Sequence, residues 1–374
     1  MKKILLVVFG IVAYAFYVYM IVANFRHISR LFQKTSATLA TRIVNPSPTP
    51  LPSSSPSPTL EPLPTSKILD SGYHVFQTFN NCGPASLSMA LSYYDVRVSQ
   101  QELGVALRPY QIPNGDNDDK SVTLNELAQK AKDYDLIPFH RPRGTRDMIK
   151  HFLANNMPII TRTWTKPNED IGHYRLIKGF DDATQSFLQD DSLQGKNLWY
   201  TYDEFNQLWE AFNYEFLVLV PQDKEELAHA ILGEFADEKY AWQKALDAAK
   251  SESGANPESI YAHFNASVAA YHIGDFQTSI TEFETVESHL SMRMLWYQIE
   301  PILAYYELGN YDRVFEITDR VLNNHNRAFS ELYLIRGQIY LKQGNQTAAK
   351  AEFEKAVMYN VNLKEAQDAL SSIN

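Results

Sequence analysis

Cys82 is the only cysteine in the 374-residue chain, and the residues after it decide how it is read. Gly83 and Pro84 come next, and then Leu87, Ala90, Leu91 and Tyr94 fall at the i, i+3, i+4, i+7 spacing of one apolar helical stripe. The cysteine therefore stands where a helix begins. Pro84 suits a first helical turn, where its missing N–H costs nothing, and Gly83 lets another backbone or a substrate come close. Free N–H groups and the positive end of the helix dipole favour a thiolate there, the form that attacks a carbonyl carbon. The alternative is a buried structural cysteine, but Gly-Pro punctuation at a helix start is what a nucleophile needs.

A thiolate needs a base. The histidines of the surrounding globular segment are His74, His140, His151 and His173. His151 lies in the helical run MIKHFLANN, whereas His173 opens DIGHYRLIKGFDD, a strand entered through Gly172 and left through an acidic turn. A histidine at a strand entrance faces a cleft more readily than one in mid-helix. Two acidic pairs could orient it. Asp181 and Asp182 end the same strand, and at about 3.3 Å per residue they lie some 25–30 Å from the imidazole, too far for a hydrogen bond. Asp190 and Asp191 close the next strand, FLQDD, whose antiparallel return would bring one of them, but not both, beside the ring.

The pattern Q-x4-CGPAS-x2-MAL from Gln77 to Leu91, followed about ninety residues later by GHYRLIKGFDD and then FLQDDS, resembles the C39-like family of papain-fold cysteine peptidases. These are similar to the proteolytic domains of bacteriocin-processing transporters. The resemblance covers about residues 68–221 and implies roles for single residues: Gln77 as oxyanion-hole side chain, Cys82 as nucleophile, His173 as base and an acid beyond it as orienter. Asp191-Ser192 stands where such peptidases carry Asp-Pro, which selects Asp191, although serine replaces the proline. The transporters cut after double-glycine leaders. This chain has no ATPase or multi-span segment, so that specificity is not carried over.

Elsewhere the chain divides into clear compositional regions. One cysteine excludes a disulfide framework and a thiolate-cluster metal site. Asp116, Asp118 and Asp119 invite a calcium reading, but their loop lacks the internal glycine and terminal glutamate of an EF-hand, and it reads as a turn into a helix capped by Thr123 and Glu126. No cofactor or metal is expected. The formal net charge is −10, and no acidic residue precedes Glu61, so the globular body is more acidic still. That balance argues against nucleic-acid binding.

Residues 4–23 carry no charge and are about long enough to span a bilayer, which predicts a transmembrane signal anchor over 1–25. Residues 26–66 form a linker whose stretch 45–64 holds eight prolines in twenty positions. At about 3 Å per residue that stretch is a stalk of roughly 60 Å. The flanking Arg26, Arg30 and Lys34 outnumber Lys2 and Lys3, which alone would place the body in the cytoplasm. The stalk and the export usual in the family outweigh this count, and the body is expected outside the membrane, at the cell surface.

The expected fold is α+β: a papain-like domain over 67–222, with helices preceding a mostly β second half, and an all-α domain over 225–374. Gly274, Gly309 and Gly344 recur every 35 residues, close to the tetratricopeptide period. The third unit fits best, with Gly337, Tyr340, Ala349, Phe353 and Ala356 at stacking positions, and the array is expected to express as a fragment whose removal spares the thiolate chemistry. The expected function is an anchored cysteine peptidase acting on a peptide or protein substrate, whose repeats bind a protein partner. A catalytically silent tethered scaffold and a thiol acyltransferase are the alternatives.

Overall fold

The computed structural model describes residues 60–110, 122–291, 293–324 and 326–373. The expected anchor, all of the linker before Leu60 and the Asp116–Asp119 loop lie outside these residues. Among the described residues no helix is long and apolar enough to cross a membrane. The linker ends by Thr65, whose carbonyl accepts from the Asp182 N–H at 2.9 Å.

Seven strands form one antiparallel sheet: β1 (Ser66–Ile68), β2 (Leu136–Arg141), β3 (Ile159–Trp164), β4 (Gly172–Asp181), β5 (Ser186–Asp191), β6 (Gly195–Thr201) and β7 (Phe216–Pro221). Their order is β2-β7-β3-β4-β5-β6, and β1 pairs with β4 beyond the end of β3. Both faces are covered, so central strands such as β3 and β5 are buried at every position. Side chains alternate between two cores, with Ile160, Leu176 and Leu217 on one face and Ile159, Ile177 and Val218 on the other.

Helices α1 (Cys82–Leu91), α2 (Gln100–Leu107) and α3 (Leu124–Ala131) supply the first face, while α4 (Arg146–Ala154), α5 (Tyr202–Trp209) and α6 (Glu225–Leu232) supply the second. The capping boxes expected at Thr123–Glu126 and Thr201–Glu204 are both formed. Strands β2 and β6 were not legible in the sequence because they are the sheet's edges: β2 contains Pro138, and β6 alternates weakly between exposed and half-buried side chains.

The helical domain continues with α7 (Glu238–Ala255), α8 (Ile260–Ile273), α9 (Phe276–Val286), the four-residue α10 (Met294–Tyr297), α11 (Glu300–Glu307), α12 (Tyr311–Asn323), α13 (Ser330–Lys342), α14 (Gln346–Tyr359) and α15 (Lys364–Ile373). Gly274, Gly309 and Gly344 turn the chain between paired helices at φ +86°, +73° and +77°, a conformation that favours glycine. Gly337 has a different reason. A Cβ there would stand 2.4 Å from Cε1 of Phe353, so α13 and α14 meet only because the position is bare. Gly337→Ala should lower stability by about 1–3 kcal/mol, the usual cost of overpacking, read as a fall in the midpoint of chemical denaturation.

The boundary at residues 222–225 is a change of secondary structure and not of packing. Trp164, Leu208 and Phe212 of the sheet domain share one core with Phe264, Trp296 and Tyr297 of the helices. The Asn265 side chain accepts the Asn213 N–H at 3.1 Å and donates to the Glu210 carbonyl at 2.7 Å. The two halves pack as one body, and cutting there would strip apolar surface from both.

Candidate active site

Cys82 begins α1, a helix whose ten residues are all buried. Gly83 serves packing there, since a Cβ would stand 2.4 Å from the Val122 side chain and 3.4 Å from the Tyr174 ring. The Asn81 side chain does not cap the helix and instead donates to Thr78 Oγ1 at 2.8 Å. Burial alone pushes the Cys82 thiol up, but its net pKa is lowered, because a hydrogen bond and charge from His173, the charge of Arg108 and the Tyr174 backbone N–H all favour the thiolate.

The β4–β5 hairpin brings His173 and Asp191 together. Arg175 lies opposite Asp191 in the register, and His173, two residues before it, shares its face. His173 Nε2 lies 2.8 Å from Asp191 Oδ1, leaving Nδ1 as the nitrogen for the sulfur, and both side chains are buried. Burial disfavours the imidazolium, yet Asp191 and Cys82, as acceptors for its N–H groups and as negative charges beside it, raise the His173 pKa to about 9. Asp191 is likewise opposed by burial, and its pKa is held well below the carboxylate range by His173, the Gln194 N–H and Arg175. Three donors meet Asp191 Oδ1: His173, the Leu193 N–H at 2.7 Å and the Gln194 N–H at 2.8 Å. Oδ2 receives Arg175 Nε at 3.0 Å.

The other acids are engaged elsewhere. Asp190 faces the opposite side and pairs with buried Lys178 at 2.8 Å. Asp181 accepts the Ala183 N–H in the turn, and Asp182 pairs with Lys150 at 2.7 Å. Among the other histidines, His74 Nε2 lies 3.0 Å from the Asp191 carbonyl oxygen, His140 pairs with Glu215 at 2.7 Å, and His151 stays on α4.

Gln77 lines the same cleft as Cys82 and His173. Its backbone N–H donates to the Ser192 carbonyl at 2.8 Å, and its side-chain Oε1 accepts the Ser192 hydroxyl at 2.9 Å, which leaves the amide N–H groups for the cleft. Ser192, the residue that departs from the Asp-Pro pattern, thus orients Gln77. Gln100 fixes the same loop, accepting the Thr78 N–H at 2.8 Å and donating to the Phe76 carbonyl at 2.7 Å. Sequence reasoning missed Arg175, Ser192, Gln100 and Arg108 as supports. Only Arg175 carried a signal, being two residues from His173 on one strand face.

Residues 68–216 match the Peptidase_C39 like family. Among curated proteins none matches. Solved structures similar to the chain include one described as a C39-like peptidase from Bacillus anthracis, at 16% identity, TM-score 0.36, covering 42% of this chain and 98% of that one. The peptidase domain of Streptococcus ComA, a bi-functional ABC transporter, is 17% identical at TM-score 0.32, covering 40% of this chain and 97% of that one. A thermophilic TPR protein of Thermus thermophilus is 18% identical at TM-score 0.27, covering 36% of this chain and 73% of that one. The sheet domain that holds Cys82 and His173 is thus the part of the chain that matches the C39-like peptidase family, and a helical C-terminal region follows it.

Proposed function

We propose that the protein is a cysteine peptidase that hydrolyses peptide bonds through Cys82, His173 and Asp191, with Gln77 completing the oxyanion hole. The observation that carries this reading is the buried His173 ring, hydrogen-bonded to the Asp191 carboxylate and lining the same cleft as Cys82, whose thiol it favours as the thiolate. The Cys82 thiolate attacks the scissile carbonyl, and the oxyanion takes hydrogen bonds from the Gln77 amide and the Cys82 N–H. His173 then gives its proton to the leaving amine. Water, deprotonated by the same imidazole, releases the acyl group and restores the thiol pair. A silent scaffold would have no use for a thiol, an imidazole and a carboxylate joined in this order.

In this reading residues 4–23 anchor the chain in a membrane, the proline-rich linker holds the body on the outer side, and the helical domain engages a protein or peptide partner. The central claim is tested by incubating the purified protein with a mixed peptide library and reading new termini by mass spectrometry. Wild type should cleave and Cys82→Ala should cleave nothing; equal cleavage by both would overturn the assignment.

A further inference from the structure

The cleft around Cys82 and His173 is not built by the sheet domain alone. Arg293, Trp296 and Tyr297 of the helical domain line it together with Ile171 and Gly172, which lead into β4. The cause lies in Pro301. It has no N–H for the carbonyl four residues back, which is that of Tyr297, and its ring crowds that carbonyl. The chain therefore forms two short helices, α10 and α11, where α8 is a single helix of fourteen residues. The Tyr297 carbonyl accepts Arg162 Nη1 at 3.0 Å, and Nε of the same buried guanidinium donates to the Tyr174 hydroxyl at 2.8 Å.

Tyr297 also reaches the residue before His173. A Cβ on Gly172 would stand 3.0–3.1 Å from three carbons of the Tyr297 ring, so the ring packs directly on that backbone. Asp170 fixes the same segment from the sheet side, accepting Ser291 Oγ at 2.6 Å and Arg293 Nη1 at 3.0 Å. The Arg293 guanidinium in turn lies over the Trp296 ring, 5.4 Å from its centroid. The segment is thus pinned on both sides of His173 and presents two aromatic side chains to the cleft.

We propose that Trp296 and Tyr297 are the specificity wall of this site: they limit the side chain a peptide can carry beside Ile171 and Gly172, so that the helical domain selects substrates with small residues there. The proposal rests on Cys82 being the nucleophile. Its test uses the full chain and three electrophiles: iodoacetamide, and two peptidyl chloromethyl ketones that differ only in carrying alanine or phenylalanine side chains at the two residues before the ketone. Each ketone rate is divided by the same variant's iodoacetamide rate, which removes effects on the thiolate itself.

Wild type should prefer the alanine ketone, and Trp296→Ala should raise the normalised phenylalanine rate about tenfold, the scale on which apolar contacts discriminate side chains. If Trp296→Ala loses iodoacetamide reactivity with its fold, Trp296→Leu reads the same ratio with most of the core volume kept. An unchanged ratio in reactive variants overturns the wall. A wild-type Cys82 indifferent to iodoacetamide and to His173→Ala instead overturns the nucleophile on which the wall depends.

Discussion

Asp191→Asn should cut turnover by about 10³–10⁴-fold, the scale seen when a carboxylate that fixes an imidazole's tautomer and countercharge is neutralised. The geometry predicts how the loss arises. An asparagine has one oxygen where the aspartate has two, and Oδ1 serves three donors against one at Oδ2. The amide oxygen will keep the three, turning its NH2 group toward the Arg175 guanidinium, which is 0% exposed. The imidazole stays in place but loses the charge that stabilises its protonated form, and a buried cation loses its partner. Removing one member of a buried ion pair costs about 3–5 kcal/mol, so thermal unfolding should shift down alongside the kinetic loss. Asp181→Asn and Asp182→Asn should leave turnover nearly intact, the second losing some stability with its Lys150 pair. Turnover retained in Asp191→Asn but lost in either of the others would overturn the assignment.

The order Cys-helix, His-strand, Asp-strand was legible because each step rests on local rules. Pro84 marks a first turn, Gly172 a strand entrance, and alternation along FLQDD puts Asp190 and Asp191 on opposite faces, although the choice of Asp191 between them comes from the family resemblance and not from a local rule. The edge strands β2 and β6 were not legible, since an edge tolerates proline and mixed polarity. Nor could the sequence reveal that the helical domain enters the cleft. The 35-residue spacing of Gly274, Gly309 and Gly344 is kept across the second unit, so nothing in the period betrays the break before α11. Pro301 was the available signal, and its consequence depends on Arg162, more than a hundred residues earlier, donating to the freed carbonyl. Long-range polar contacts of this kind have no periodicity to read.

The pH dependence of Cys82 alkylation should show two steps where a free thiol shows one. With the Cys82 pKa lowered and that of His173 raised to about 9, the interval between them is occupied by the thiolate–imidazolium pair. The iodoacetamide rate should therefore plateau through neutral pH instead of rising only near the free-thiol value of about 8.5. Above about 9 the imidazolium loses its proton and the thiolate its countercharge, so alkylation should climb again. Peptide turnover should fall in that same range, because the leaving amine no longer finds an acid. The two observables diverge only if one histidine serves both steps, and the apparent values belong to the pair. Stability follows the same groups with opposite limits. His173, raised on folding, contributes fully below its unfolded value of about 6.5 and loses that contribution as pH rises through about 9. Asp191, depressed on folding, contributes fully above its unfolded value of about 3.9 and loses it as pH falls through its lower native one. In His173→Ala the alkylation profile should collapse to a single step moved up toward the free-thiol value, since only the Arg108 charge and the Tyr174 N–H then oppose the effect of burial, and the plateau through neutral pH should be lost. A wild-type profile with that single step would mean that Cys82 and His173 do not form the pair their positions describe.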